Sequence, residues 1–371
     1  MRLVVSGGGT GGHIFPAIAV AEEFKRRLPD SEVLFIGSRD GMEADIVPAA
    51  GIPFQGVTAR KLRKVLSPDT ALVALSLGRG CLEARRFLRA FKADVILGTG
   101  GYVAAAAVIA GSSMRIRSAI LAPDMVPGRT NLLLSRFVDR ICITFDKSES
   151  YFPTAKTVIT GMPLRMGVSL PLEVTAMEAR RRFTGLRPDA FTLLVLGGSQ
   201  GARAINQVVC DAAPALVGTG VQILHQTGAR NYDEIRAAHA DLVTRGGYCP
   251  IPFLRADEMA AALRAADLVV CRGGISTLAE VTYNRLPAIV VPLPTAYADH
   301  QTFNAQALES SGACILKRQG DLNAEVLTRD ISELRANPPK LRELAAAAAK
   351  SSRPNAARDV CTILDQLANR V

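Results

Sequence analysis

The chain has 371 residues, 49% hydrophobic and 21% charged, the balance of a folded soluble protein of about two domains, which excludes a disordered chain. A formal net charge of +10 calls for an anionic partner, yet aromatics make up only 5% and Trp is absent, which argues against a surface built to stack nucleic-acid bases. Seven scattered cysteines without a C-x-x-C pair, and four histidines far apart, give neither a disulfide framework nor metal-ligand spacing; buried reduced thiols in a cytosolic protein are expected.

The opening "MRLVVSGGG" runs from a cationic flank into a predicted strand over 3–6, without the long apolar region of a secretory signal. A glycine turn at 7–12 follows, then "HIFP" and the helical pattern of "AIAVAEEFKRRL". Gly7, Gly9 and Gly12 fit G-x-G-x-x-G. Strand, glycines and helix together expose backbone N–H groups at the positive end of a helix dipole, which suits a phosphate oxygen. A dinucleotide site also needs an acid at the end of the second strand. That strand, predicted over 33–37, ends in Ser38-Arg39, so an NAD(P) reading would rest on an NADP-type arginine. Pro16 is tolerable in a first helical turn. His13 reads equally as a solvated helix-start residue or as a chemical group facing the glycines.

Further strands are predicted at 95–98, 118–121, 140–144 and 157–160, and the apolar "YVAAAAVIAG" is too short to span a bilayer. The Pro- and Gly-rich stretch 161–174 marks a seam, after which "FTLLVLGGSQGA" repeats strand, glycine turn (197–201) and helix. Strands follow at 191–196, 221–225, 268–271 and 288–291. Apolar strands alternating with helices give an α/β fold of two doubly wound, Rossmann-like domains, their parallel sheets facing a central cleft where the ligand is expected. The domains are expected at 1–163 and 164–353, and a last helix over about 354–371 packs back on the first, with Val360, Ile363, Leu364 and Leu367 at helical spacing.

A third strand–glycine–helix junction lies in "CRGGISTLAE". Thr277 and Glu280 have capping-box spacing. Alternatively the helix start holds a pyrophosphate and Glu280 accepts from ribose hydroxyls. "ADHQTFNA" then places His300, Gln301 and Asn304 where a donor ligand would lie. No D-x-D motif is present, so a nucleotide-sugar enzyme of this kind would use dipoles and arginines; no metal or other cofactor is expected.

"GGTGGHIFPA", "GGYV", "VPGRTN", "LGGSQGA", "MAAALRAADLVVCRGG", "TLAE", "LPAIVVPLP" and "DHQTFNA" stand in the order and spacing of the MurG glycosyltransferases, and the resemblance runs from Gly7 to about Ala313. It implies a GT-B fold and inverting transfer of N-acetylglucosamine (GlcNAc) from UDP-GlcNAc to lipid I, the undecaprenyl-pyrophosphoryl-MurNAc-pentapeptide. The product is lipid II for peptidoglycan, made at the cytoplasmic face of the membrane by a peripheral protein. The resemblance further implies that Ser199 contacts a UDP phosphate or ribose, Leu254 presents backbone to the uracil, and Glu280 holds the ribose. Gln301 and His300 would read the GlcNAc hydroxyls, and Arg165 would face the diphosphate. Thr10, Gly11 and Gly12 would lie near the donor phosphates and the acceptor pyrophosphate, with His13 as base or phosphate ligand.

Two of the chain's departures from the family matter. The usual "HEQN" is Leu121-Ala122-Pro123-Asp124, and "SGPA" after "GGYV" is Ala104–Ala107. Without the His-Glu pair, His13 is the first choice of base and Asp124 the second. The segment from Arg60 to Lys92 interleaves nine basic residues with leucines and valines; it reads as core-packed helices with solvated charges or, beside a lipid-linked acceptor, as a surface for anionic lipid. Alternatives are a related transferase with another nucleotide sugar or lipid acceptor and, from a different class, an NAD(P)-dependent oxidoreductase, which leaves the second half unexplained.

Overall fold

Along "RLVVSG" the side chains of Leu3 and Val5 enter one hydrophobic core and that of Val4 enters another, because successive residues of a strand face opposite sides. The computed structural model that shows this describes residues 1–60, 69–165, 167–168, 170, 173–198 and 201–369. It divides into two units, Met1–Met166 with Arg353–Val371, and Gly167–Ser352.

Among the described residues the first unit holds a seven-stranded parallel sheet of β1 (Arg2–Gly7), β2 (Glu32–Ser38), β3 (Phe54–Val57), β4 (Val95–Gly100), β5 (Arg117–Ala122), β6 (Arg140–Ile143) and β7 (Thr157–Ile159), in the order β3-β2-β1-β4-β5-β6-β7. Helices α1 (Gly11–Arg27) and α2 (Glu43–Ala49) cover one face, where Ile14, Ile18, Phe24 and Val47 pack on Leu3, Phe35 and Leu97. Helices α3 (Asp69–Phe91), α4 (Gly101–Ser113) and α5 (Arg129–Leu134) cover the other, through Ala84, Leu88, Val103, Ala107 and Leu134. The C-terminal helix, Ala356–Ala368, joins the first face: Val360, Cys361, Leu364 and Leu367 are buried with Ile18 and Ala21, and Arg27 donates to the Arg358 carbonyl at 3.0 Å and to Thr362 Oγ1 at 2.9 Å.

The second unit repeats the scheme with β8 (Thr192–Leu196), β9 (Gln222–Gln226), β10 (Tyr248–Ile251), β11 (Leu268–Cys271), β12 (Ala288–Val290) and β13 (Ile315–Leu316), in the order β10-β9-β8-β11-β12-β13, all parallel. Its helices are α6 (Ala176–Arg180), α7 (Arg203–Gly218), α8 (Ala229–Ala238), α9 (Ala240–Arg245), α10 (Ala256–Ala265), α11 (Ile275–Tyr283), α12 (His300–Ser310), α13 (Ala324–Arg335) and α14 (Pro338–Ser351). Within it, buried Arg180 donates to Asp267 Oδ2 at 2.6 Å, and that same oxygen accepts from the Thr192 N–H at 2.7 Å.

The sequence pattern passes over β3, β10 and β13, and each is an edge strand. Gly56 interrupts β3, Pro250 sits within β10, and β13 has two residues. Glycine weakens the strand signal and proline is tolerated at an edge because no ladder bond is lost there. Pro16 lies deeper in α1 than a first turn, at the sixth helical residue, where it removes the bond its N–H would give to the Gly12 carbonyl. Cys142, Cys271, Cys314 and Cys361 are buried, and burial pushes the Cys142 and Cys314 thiols up to about 12. Among the described residues no helix is long and apolar enough to cross a membrane.

Candidate active site

Each glycine turn follows a strand whose two neighbours lead away in opposite directions: β1 lies between β2 and β4, and β8 between β9 and β11. In doubly wound sheets this is where a ligand crevice opens.

Three junctions build the turn after β1. Gly100 and Gly101, at the start of α4, have φ of 103° and 77°, where only glycine is at ease. A Cβ on Gly101 would stand against the Gly8 carbonyl, and one on Gly100 would lie 2.7 Å from His13 Cδ2, so the imidazole is seated directly on Gly100. His13 Nδ1 is 3.1 Å from the Gly8 carbonyl oxygen and 3.2 Å from Thr10 Oγ1. A carbonyl can only accept, so Nδ1 carries the proton of the neutral ring and Nε2 is its basic nitrogen. Thr99 Oγ1 donates to the His13 carbonyl at 2.7 Å and fixes the backbone below the ring. Thr10 is the extended N-cap of α1, and Gly11 and Gly12 are its first residues, whose N–H groups point out of the helix start.

The third junction, between β2 and α2, supplies a group that sequence reasoning missed. Glu43 is fully buried; its Oε1 accepts from the Ser38 N–H at 2.9 Å and its Oε2 from the Gly9 N–H at 3.2 Å. Burial, and after it the Glu43 charge, raises the phenol of Tyr102, whose ring lies against Gly9. An acid five residues past the second strand therefore exists, but the turn itself consumes it. A dinucleotide site would aim that acid at a ribose.

Arg165 belongs to the first unit, and its Cζ lies 4.2 Å from the centroid of the Phe15 ring. That ring also borders Gly11, so Phe15 is the platform that brings a cation to the glycine turn. Asp124 is half-buried in the turn after β5, at the same edge of the sheet. Only β4 stands between β1 and β5, which puts the two backbones about 10 Å apart at the usual strand spacing. Ser148 Oγ donates to the Met125 carbonyl at 3.0 Å and Asn131 Nδ2 to the Leu121 carbonyl at 3.2 Å, bracing that turn from both sides.

In the second unit Ser199 falls outside the described residues. The neighbouring Gly198 carbonyl accepts from the Gly201 N–H and from Gln226 Nε2, each at 3.0 Å. Leu254, beyond β10, is 3% exposed, so its side chain anchors the loop, while the neighbouring Phe253 is 49% exposed. Glu280 is half-buried in the body of α11. The capping box that Thr277 and Glu280 allow by spacing does not form, because Gly274 is the N-cap and the helix starts at Ile275. The earlier start has a visible cause: Asn304 Nδ2 donates to the Gly273 carbonyl at 3.2 Å, and the Gln301 main chain fills the space of a Gly273 Cβ. The first turn of α12 is thereby packed on the glycines before α11.

His300 and Gln301 open α12 after a strained turn in which Ala298 and Asp299 take φ of 50° and 52°. His300 Nδ1 donates to the Tyr297 carbonyl at 2.7 Å, and Gln301 Oε1 accepts from the Leu293 N–H at 3.0 Å. The bond commits the Gln301 oxygen and orients its NH2. Arg272, 9% exposed, donates to the Val291 and Pro292 carbonyls at 3.1 Å each and to Gln319 Oε1 at 2.9 Å, tying the end of β11 to the segment after β12. Burial lowers its pKa.

Residues 3–143 match the glycosyltransferase family 28 N-terminal domain and residues 192–360 the family 28 C-terminal domain. The chain is 38% identical over 376 residues to the UDP-N-acetylglucosamine--N-acetylmuramyl-(pentapeptide) pyrophosphoryl-undecaprenol N-acetylglucosamine transferase of Desulforudis audaxviator, covering 100% of this chain and 99% of that protein. The solved structure of Acinetobacter baumannii MurG is 28% identical and superposes with a TM-score of 0.79 over 98% of this chain and 99% of that one. The chain belongs to the MurG family. A UDP-GlcNAc 2-epimerase from Neisseria meningitidis, solved with UDP-GlcNAc bound, superposes with a TM-score of 0.72 at 15% identity over 99% of this chain and 100% of that one, and shares the fold alone.

As in MurG glycosyltransferases, two parallel-sheet, Rossmann-like units make up a GT-B chain. Of those two departures from the MurG pattern, Ala104–Ala107 is a matter of core packing, for all four alanines are buried in α4. The other, Asp124, stands half-buried at the carboxyl edge of the sheet. Glu43 had no motif to announce it, and Phe15 and Arg272, though inside the quoted motifs, were given no role: a buried acid, an aromatic within an apolar helix face and an arginine just past a strand each look like packing in one dimension.

Proposed function

We propose that this chain transfers GlcNAc from UDP-GlcNAc to N-acetylmuramyl-(pentapeptide) pyrophosphoryl-undecaprenol, with inversion, at the cytoplasmic face of the membrane. The observation that carries the reading is full-length identity of 38% to a relative whose name states that donor and acceptor. The loop chemistry supports it.

The second unit binds the donor: the backbone at Leu254 meets the uracil, Glu280 the ribose hydroxyls, Ser199 a phosphate or the ribose, and His300 and Gln301 the sugar hydroxyls. The first unit receives the acceptor, with the donor phosphates and the acceptor pyrophosphate near Thr10, Gly11 and Gly12 and the Arg165 cation facing the diphosphate. The C4 hydroxyl oxygen of the acceptor attacks the anomeric carbon, the bond from that carbon to UDP breaks, and UDP leaves with the electron pair. His13 Nε2 takes the hydroxyl proton, a role its tautomer suits, with Asp124 as the second choice. Dipoles and cations stabilise the departing diphosphate.

The face of α3 turned to the sheet buries Ala84 and Leu88, whereas Leu72, Leu75 and Leu82 are 47%, 71% and 72% exposed. Leu75, Arg79 and Leu82 recur at helical spacing on that outer stripe, an arrangement fit for anionic lipid head groups over a shallow apolar contact. Lys61, Arg63 and Lys64 of the same basic segment lie outside the described residues.

Thermal melting with added ligands tests the donor half. UDP-GlcNAc is expected to raise the melting temperature and NADPH to leave it unchanged; the reverse overturns the reading. For the base, near-normal turnover of both His13→Ala and Asp124→Ala at saturating substrates would remove the assignment.

A further inference from the structure

We propose that Glu43 is the positioning residue for His13, acting through the single peptide group between Gly8 and Gly9. The inference rests on the reading of His13 as the base. The carbonyl of that peptide group accepts from His13 Nδ1 at 3.1 Å, and its N–H donates to Glu43 Oε2 at 3.2 Å. Carboxylate, peptide and imidazole thus form one hydrogen-bonded series in which the peptide stands between an acid and a ring, where many catalytic histidines meet the acid directly.

The carboxylate is itself held hard. Its other oxygen accepts from the Ser38 N–H at 2.9 Å, and among the described residues no cation pairs with it. Gly8 and Gly41 leave room for it: a Cβ on either would run into the carboxylate. An N–H donating to an anion is a strong bond, and it polarises the carbonyl on the other side of the same peptide, which strengthens the bond from His13.

Rotation of the peptide group is the alternative that Glu43 prevents. The group is flanked by two glycines, and Gly9 has φ of 80°, so little steric cost opposes turning the peptide over. Turned over, it would present its N–H to Nδ1, and the proton of the neutral ring would move to Nε2, the nitrogen needed as base. Glu43 keeps the carbonyl toward the ring and so keeps Nε2 basic. Thr99 and Gly100 fix the position of the imidazole; Glu43 fixes its tautomer.

The test is imidazole 15N NMR on the full-length protein, in which four histidines are to be resolved, His13 being identified by its loss in His13→Gln. Wild type is expected to show His13 as the Nδ1–H tautomer; an Nε2–H tautomer overturns the proposal whether or not any variant folds. In Glu43→Gln the Nδ1–H population is expected to fall, with kcat reduced about 10- to 100-fold, a fraction of what a general base supplies. The KM for UDP-GlcNAc is expected to stay within twofold. On a His13→Gln background the same substitution is expected to have no further effect on kcat, whereas a merely structural role would multiply the losses. An unchanged tautomer and kcat in Glu43→Gln, beside a His13→Gln that has lost turnover, overturns the role of Glu43 and leaves the base in place. Near-normal turnover of His13→Gln instead overturns the reading of His13 as base.

Discussion

The guanidinium of Arg165 lies over the ring of Phe15, its Cζ 4.2 Å from the centroid, and the same ring closes on the space beside Gly11. The phenylalanine of "HIFP" thus holds a cation at the glycine turn, linking a residue of α1 to one far along the chain. Arg165→Ala is expected to raise the acceptor KM or lower kcat at least tenfold. Phe15→Leu, which keeps the apolar bulk but removes the π face, is expected to cost about two- to fivefold, the size of a partly exposed cation–π contact of about 0.5–1 kcal/mol. The two losses should not add, because the ring acts through the cation. Additive losses in kcat/KM contradict the pairing.

Gln301 separates two functions within one side chain. Its oxygen accepts from the Leu293 N–H, a bond that Gln301→Glu retains and Gln301→Leu removes. If the NH2 reads a donor hydroxyl, both variants raise the KM for UDP-GlcNAc, by about tenfold for a hydrogen bond of about 1.4 kcal/mol, and leave the acceptor KM unchanged. Steady-state kinetics with each substrate varied in turn decides it. A wild-type donor KM in Gln301→Glu confines Gln301 to bracing its loop.

Much of the fold was legible because its strands are buried on both faces and read as unbroken apolar runs, as in "RLVVSG" and "TLLVL". The edge strands β3 and β10 were not, since Gly56 and Pro250 belong as readily to turns, whereas the edge strand β7 was. The glycine turns were legible as anion-binding geometry, and the residues around His13 as a family pattern. What the chain order hides is which distant group reaches a turn. Glu43 stands 34 residues from the Gly9 N–H it accepts, and Asn304 31 residues from the Gly273 carbonyl that receives its bond. The spacing of Thr277 and Glu280 misled for the same reason: tertiary contacts at Gly273 start the helix earlier than the local signal.

His225 gives the second unit a pH dependence. It is fully buried, with Nδ1 2.9 Å from the Tyr248 hydroxyl and Nε2 3.1 Å from Asn206 Oδ1. Burial first, and the charge of His239 second, lowers its pKa from 6.5 to about 3. The unfolded chain therefore takes up a proton below about 6.5 that the folded chain refuses until about 3. Stability from this group is complete above the higher value and is lost as the pH falls between the two, by up to about 1.4 kcal/mol per pH unit. Urea unfolding at pH 7 and pH 5 should show a larger drop for wild type than for His225→Gln. Equal drops contradict a neutral buried imidazole.

The outer stripe of α3 should bind anionic vesicles in a salt-sensitive way, each basic residue near the lipid contributing about 1 kcal/mol at low salt. Replacing exposed Leu75 and Leu82 together by Asp is expected to reduce co-sedimentation strongly while leaving the melting temperature close to wild type, since both are more than two-thirds exposed. Equal partitioning of wild type onto neutral and anionic vesicles contradicts a basic lipid-facing surface.

Transfer itself is the most direct measurement. Purified protein is incubated with UDP-GlcNAc labelled in the sugar and with a soluble analogue of the muramyl-pentapeptide pyrophosphoryl lipid, and the lipid-linked product is isolated. The account predicts label on the acceptor in a one-to-one ratio with released UDP, and loss of that label in His13→Ala. No product with this pair, beside product with another sugar nucleotide or another lipid acceptor, would contradict it.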